Sequence, residues 1–207
     1  MIDVANVLTN PDRFFSELST KDVKLRTPFT IVLVVAIISA VSNVLMNSVM
    51  APSFTGGAEA YEYLPAITGG ISGFIVPFGA WLLCSDVFYV ISSLFGGHGS
   101  SVRVFEFVGY GFAPHIVGSV VELVVIMVGS PNELYSEGFQ QTDPLILIFS
   151  IIPLLLVLYG VIIWISAVKH ARNIGTKHSI VTVLLIPVIL CLLWCIFALC
   201  CVYAGVL

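Results

Sequence analysis

Three acids and one histidine fall inside long apolar stretches: Asp86, Glu106, Glu122 and His115. A charge at the bilayer centre costs about 2.5–3.5 kcal/mol on insertion scales, so each needs a partner or a task. Gly111, His115, Gly118 and Glu122 recur at steps of four, three and four residues, which places them on one helical face. Histidine and carboxylate on one face are groups that relay protons. The stripe, with Asp86 added, is therefore a candidate path for protons, ions or a small solute near His115 and Glu122. Arg103, Glu106 and Tyr110 form a second stripe, in which Arg103 and Glu106 can pair. Asp86, Tyr89 and Ser93 line up on the preceding stretch, and a hairpin at Gly96–Ser100 sets Asp86 opposite Tyr110 and Gly111, with Tyr110 donating to Asp86. Ser39, Asn43 and Asn47 share a face of the first stretch. The candidate intramembrane polar site is thus Asn43, Asp86, Glu106, Tyr110, His115 and Glu122. The competing reading is structural: interhelical hydrogen bonds worth about 0.6–2 kcal/mol each, with the acids protonated. No Lys or Arg lies near the middle of these stretches, which favours the structural reading.

Catalysis finds little support. Gly70-Ile71-Ser72-Gly73 matches the G-x-S-G of rhomboid intramembrane proteases, but Ser72 lies near one end of its stretch and His115 near the middle of another. A nucleophile and its base must be within hydrogen-bond reach, and that offset separates them by several Å. Walker, H-E-x-x-H and Rossmann patterns are missing. The chain is expected to be non-enzymatic, with no cofactor and no metal. Cys84, Cys191, Cys195, Cys200 and Cys201 all fall in apolar stretches, so disulfides are not expected to organise the fold. Cys191 and Cys195, one helical turn apart, read as small packing residues rather than ligands of a soft metal.

The elements that position these groups follow from composition. The 207 residues are 58% hydrophobic and 10% charged, against about 25% charged in soluble domains, and mean hydropathy is +1.08. That excludes a soluble fold, and a net charge of −4 argues against a nucleic-acid surface. A membrane helix needs about 20 apolar residues. Blocks of that length run near 29–50, 67–95, 102–128, 144–168 and 179–203. The fold class is all-α: a polytopic integral membrane bundle with five transmembrane helices over 29–207, preceded by a cytoplasmic segment over 1–28. All eight Lys and Arg fall on one side of these spans, namely Arg13, Lys21, Lys24, Arg26, Arg103, Lys169, Arg172 and Lys177. Positive residues mark the cytoplasmic side, so the N terminus is placed inside and the C terminus outside. The first block starts too late and runs too long for a cleaved signal peptide. Lys21, Lys24, Arg26, Lys169, Arg172 and Lys177 are expected to meet anionic lipid headgroups, and a protein partner or a second copy is the further partner expected.

Internal prolines at Pro77, Pro114, Pro153 and Pro187 should kink or break four of the spans. Small residues four apart, such as Gly69/Gly73 and Ala36/Ala40, allow close helix approach. Before the first span, Asn10 to Leu18 reads as a short helix, with Asn10 as cap, Pro11 at the first position and Asp12 complementing the dipole. Phe14, Phe15 and Leu18 share one side of it. That side either lies on the inner membrane surface or packs against the cytoplasmic ends of the bundle.

The assembled pattern resembles the Yip-domain family, the Ypt/Rab-GTPase-interacting membrane proteins. The residues that carry the likeness are Pro11-Asp12-Arg13-Phe14-Phe15, similar to the P-x-x-F-F opening of prokaryotic members, and Leu94-Phe95-Gly96-Gly97-His98-Gly99-Ser100 followed by Gly109-Tyr110-Gly111-Phe112-Ala113-Pro114. Eukaryotic members have a long cytoplasmic N-terminal region and a D-L-Y-G-P motif, neither of which this sequence contains. The resemblance is therefore to the prokaryotic form. It implies a non-enzymatic membrane-organising or partner-recruiting protein of the cell membrane, or of an endomembrane if the source is eukaryotic.

Overall fold

The computed structural model describes residues 5–55, 63–128, 144–185 and 187–188. Every regular element among them is helical: α1 (Ala5–Thr9), α2 (Pro11–Ser19), α3 (Arg26–Thr55), α4 (Leu64–Leu94), α5 (Ser101–Tyr110), α6 (Ala113–Val128) and α7 (Pro144–Arg172). A further helical stretch covers 176–185. Four segments are long and apolar enough to cross a bilayer: Arg26–Ser48, Leu64–Leu94, Ser101–Val128 and Ile151–Arg172. Most of the fifth expected span, 179–203, lies outside the described residues, as do the 129–143 loop and four of the five cysteines.

Apolar side chains face outward over most of these segments. Ile71, Ile75, Val76, Leu83, Leu154 and Leu158 are all exposed. Water would not tolerate a belt of this size, whereas lipid tails would cover it at no cost. At 1.5 Å per residue α4 is about 46 Å long against a hydrocarbon core of about 30 Å, so it tilts or projects beyond the core.

Close approach of α3 and α4 accounts for Gly69, Gly70 and Gly73 of the second span. A Cβ on Gly73 would lie 2.7 Å from the Ser39 carbonyl oxygen and 2.9 Å from Ala40 Cα, both backbone atoms that cannot yield. The side chains of Asn43 and Asn47 flank the same seam, and each donates to the carbonyl one turn back, at 2.8 Å to Ser39 and Asn43. Asn43 is thereby satisfied within its own helix.

The third span is two helices. Pro114 cannot donate to the Tyr110 carbonyl, and the chain turns through Gly111 and Phe112 on short-range bonds, Gly111 N to Val108 O at 3.0 Å and His115 N to Phe112 O at 3.0 Å. Pro77 and Pro153, by contrast, sit inside unbroken helices; Pro187 lies in the partly described final stretch.

At one end of the bundle α1 and α2 close over the spans. The expected cap is present: Asn10 accepts from Arg13 N at 3.3 Å, Pro11 opens the helix and Asp12 lies in its first turn. Phe14, Phe15 and Leu18 are buried, with Phe15 wholly enclosed. The helix is therefore docked on the bundle, and the membrane-surface alternative is excluded for this face.

Candidate functional site

The polar groups of this closed end form three ties. Glu106 is fully buried, with one oxygen 2.8 Å from Arg103 Nη1 and the other accepting from Lys24 N at 2.7 Å. Arg103 donates onward to the Lys21 carbonyl at 2.5 Å. The expected Arg103–Glu106 pair thus exists, and it also fixes the connector between α2 and α3. Beside it the Phe15 ring lies 5.0 Å from Phe107, and Phe14 meets Tyr110 edge-on at 5.2 Å. Edge-to-face aromatic pairs of this kind add about 0.5–1.5 kcal/mol beyond the area they bury.

The second tie joins α2 to α7. Asp12 Oδ1 lies 2.6 Å from Lys169 Nζ and 2.9 Å from His170 Nε2. The Lys169 hydrogen bond, with His170 second, holds the Asp12 carboxyl below its ordinary value of 3.8. Nearby, the Tyr159 hydroxyl donates to the Leu8 carbonyl at 2.5 Å, fastening α1 to the same helix.

The third tie is Arg172, which is 3% exposed and has no carboxylate partner among the described residues. Its guanidinium donates to Ser92 Oγ at 2.9 Å, Ser93 Oγ at 2.8 Å, the Gly97 carbonyl at 2.6 Å and the Gly99 carbonyl, and it covers the Tyr89 ring at 4.3 Å. A guanidinium presents five donors in a fixed fork, and here that fork shapes the loop over 95–100. Gly99 has a φ of +139°, and a Cβ there would strike the Ala171 carbonyl. This corrects the expectation that Arg172 meets lipid headgroups: it turns inward. Lys169, expected in the same role, is engaged by Asp12.

The expected polar stripe divides. Gly111, His115 and Gly118 all face α7: a Cβ on Gly111 would overlap the Trp164 indole, His115 Nε2 fits against Gly160, and Gly118 meets Pro153 and Leu156. Trp164 Nε1 donates to the Val108 carbonyl at 2.9 Å, bracing the break between α5 and α6. His115 Nε2 is buried with no partner among the described residues, beside the rings of Phe112 and Trp164. Glu122 is exposed on α6. The Tyr110–Asp86 bond does not form. Tyr110 is buried among Phe14 and Phe15, and Asp86 is exposed on α4. No hydrogen bond joins any two of Asp86, His115 and Glu122 among the described residues. Ser72, of the protease-like match, is exposed and bonds back to Gly69 O at 2.9 Å.

Sequence reasoning missed the Asp12–Lys169–His170 cluster and the inward turn of Arg172. The available signals were Ser92-Ser93, which offer hydroxyl acceptors, and Gly96, Gly97 and Gly99, which leave backbone carbonyls open at a helix end.

Stacked apolar helices with outward-facing Leu and Ile define a multi-pass helical membrane protein. The chain matches the Yip1 domain over residues 5–199 and belongs to that family. It is 35% identical over 125 residues to an uncharacterized protein of Methanocaldococcus jannaschii, covering 60% of this chain and 89% of that relative, which accords with a prokaryotic-type member. No solved structure matches the chain.

Proposed function

We propose that this protein is a non-enzymatic membrane scaffold that recruits partners at the end closed by α1 and α2. Membership of the Yip1 domain family supports this reading. The observation that carries it is the use made of the polar side chains. Asp12, Arg103, Glu106, Lys169 and Arg172 are spent on holding the N-terminal helices and the 95–100 loop in place, whereas no hydrogen bond links Asp86, His115 and Glu122 among the described residues. In this reading the closed end is cytoplasmic, because all eight basic residues lie on the segments that build it or adjoin it. Residues 179–203 complete a fifth span, and the protein resides in the cell membrane.

One observation favours the transport reading: the partnerless Nε2 of His115. Two measurements separate them. Scaffolding predicts a specific partner, recovered from native membranes, whose yield falls when the exposed Leu94 and His98 are replaced, and no solute flux in liposomes. Proton or ion flux that disappears in His115→Gln or Glu122→Gln would replace this reading with transport.

A further inference from the structure

The eight cations divide into two groups. Arg13, Arg103, Lys169 and Arg172 are committed to Glu17, Glu106, Asp12 and the loop carbonyls respectively. Lys21, Lys24, Arg26 and Lys177 make no ion pair with a described residue, and all four are exposed. Two of these free cations, Lys21 and Lys24, lie on the connector between α2 and α3 in company with one acid, Asp22, and the third, Arg26, is the first residue of α3. The connector backbone is pinned, since Lys24 N–H is held by Glu106 and the Lys21 carbonyl by Arg103. The side chains therefore project from a fixed base.

Directly beside them is a groove of about 400 Å³ between α3, α4 and α5, with Arg26 at its rim. Its walls are Phe29, Phe78, Trp81, Leu82 and Phe105. Trp81 stacks on Phe105 at 4.0 Å between ring centroids, and its only N–H is consumed by the Phe105 carbonyl at 2.8 Å. Phe29 and Phe78 rings lie 5.7 Å apart, with Phe29 and Leu82 about half exposed. The indole thus offers the groove no free donor. The groove is lined by Leu25 and Arg26 at the start of α3 and otherwise by apolar side chains, a combination complementary to an occupant that is apolar over its length and anionic at one end. This is phospholipid chemistry: an acyl chain in the groove and a phosphate on the guanidinium.

We propose that the groove holds one acyl chain of an anionic phospholipid, with the headgroup phosphate on Arg26 and with Lys21 and Lys24 adding to the positive field. The proposal does not rest on the scaffold reading, and it goes beyond a diffuse basic face by fixing one lipid at one place.

The test uses full-length protein in nanodiscs of equal phosphatidylglycerol and phosphatidylcholine, with retained lipid counted by native mass spectrometry after extraction. Wild type is expected to keep phosphatidylglycerol in preference to phosphatidylcholine. Removing one surface cation costs about 1 kcal/mol of attraction, so Arg26→Gln should cut that preference about fivefold. Leu82→Trp, which fills the groove from an exposed position, should reduce retention of either lipid. Lys177→Gln, a free cation away from the groove, should change nothing. Equal retention of the two lipids would overturn the proposal. So would an Arg26→Gln variant that behaves as wild type, or a loss in Lys177→Gln as large as in Arg26→Gln. Displacement of the retained lipid by millimolar glycerol phosphate would overturn the acyl-chain component.

Discussion

Glu106 offers the most direct test of how the N-terminal helices are held. Glu106→Ala removes the acceptor of Lys24 N–H and the counter-ion of Arg103 in one step. An unpaired buried donor costs about 1–3 kcal/mol. Breaking a wholly buried ion pair costs about 3–5 kcal/mol, but the Arg103 side chain is 18% exposed and keeps its bond to the Lys21 carbonyl, so its share is smaller. The total is about 3 kcal/mol, which lowers the melting temperature of a chain this size by about 6–12 °C. Thermal unfolding in detergent, followed by retention on a sizing column, reads that shift. Hydrogen exchange locates it: protection should fall over residues 11–25 and persist in α3 and α4. Glu106→Gln keeps an acceptor for Lys24 and should lose about half as much. The double variant with Arg103→Ala should lose less than the two single variants' losses combined, because each removes the same pair. A Glu106→Ala protein that melts within a degree of wild type, with unchanged exchange over 11–25, would refute the reasoning.

The remaining expectations concern the other contacts. Asp12→Asn should loosen α2 from α7 by about 0.5 kcal/mol, since the pair is well exposed. Because the folded Asp12 titrates below 3.8, its contribution is complete above that pH and disappears as pH falls through the lower folded value, readable as exchange over 11–19. Gly73→Ala should destabilise by about 1–3 kcal/mol by forcing α3 and α4 apart. Gly79→Ala, with open space at its Cβ, should be neutral or stabilising by up to about 1 kcal/mol; equal melting temperatures for the two would dispose of the close-approach argument. Arg172→Lys keeps the charge but not the fork, and should raise exchange and protease sensitivity across 95–100 while leaving α2 protected.

Features written in short stretches were legible. The α2 cap depends on Asn10, Pro11 and Arg13 alone, and Arg103 reaches Glu106 across a single helical turn, so spacing suffices for both. The docking of Phe14 and Phe15 was legible only as an apolar face, because nothing local distinguishes a lipid surface from Phe107 and Tyr110. The Asp86–Tyr110 expectation failed for a related reason. Hairpin arithmetic places two residues at one height, but it leaves free the rotation of each helix about its own axis. Packing turned Tyr110 toward α2 and left Asp86 outside.

The sequence alone determined that this is a helical membrane protein of the Yip1 domain family, because span length, hydropathy and family motifs are properties of the chain read in order. The tertiary structure decided which charges are spent internally and which stay free. Arg172 and Arg26 are the same residue type on the same end of the bundle, yet one is buried among serine hydroxyls and glycine carbonyls and the other stands at the rim of an apolar groove. Only the relative placement of helices distant in sequence sets that difference, since burial of a guanidinium depends on acceptors brought from elsewhere in the chain.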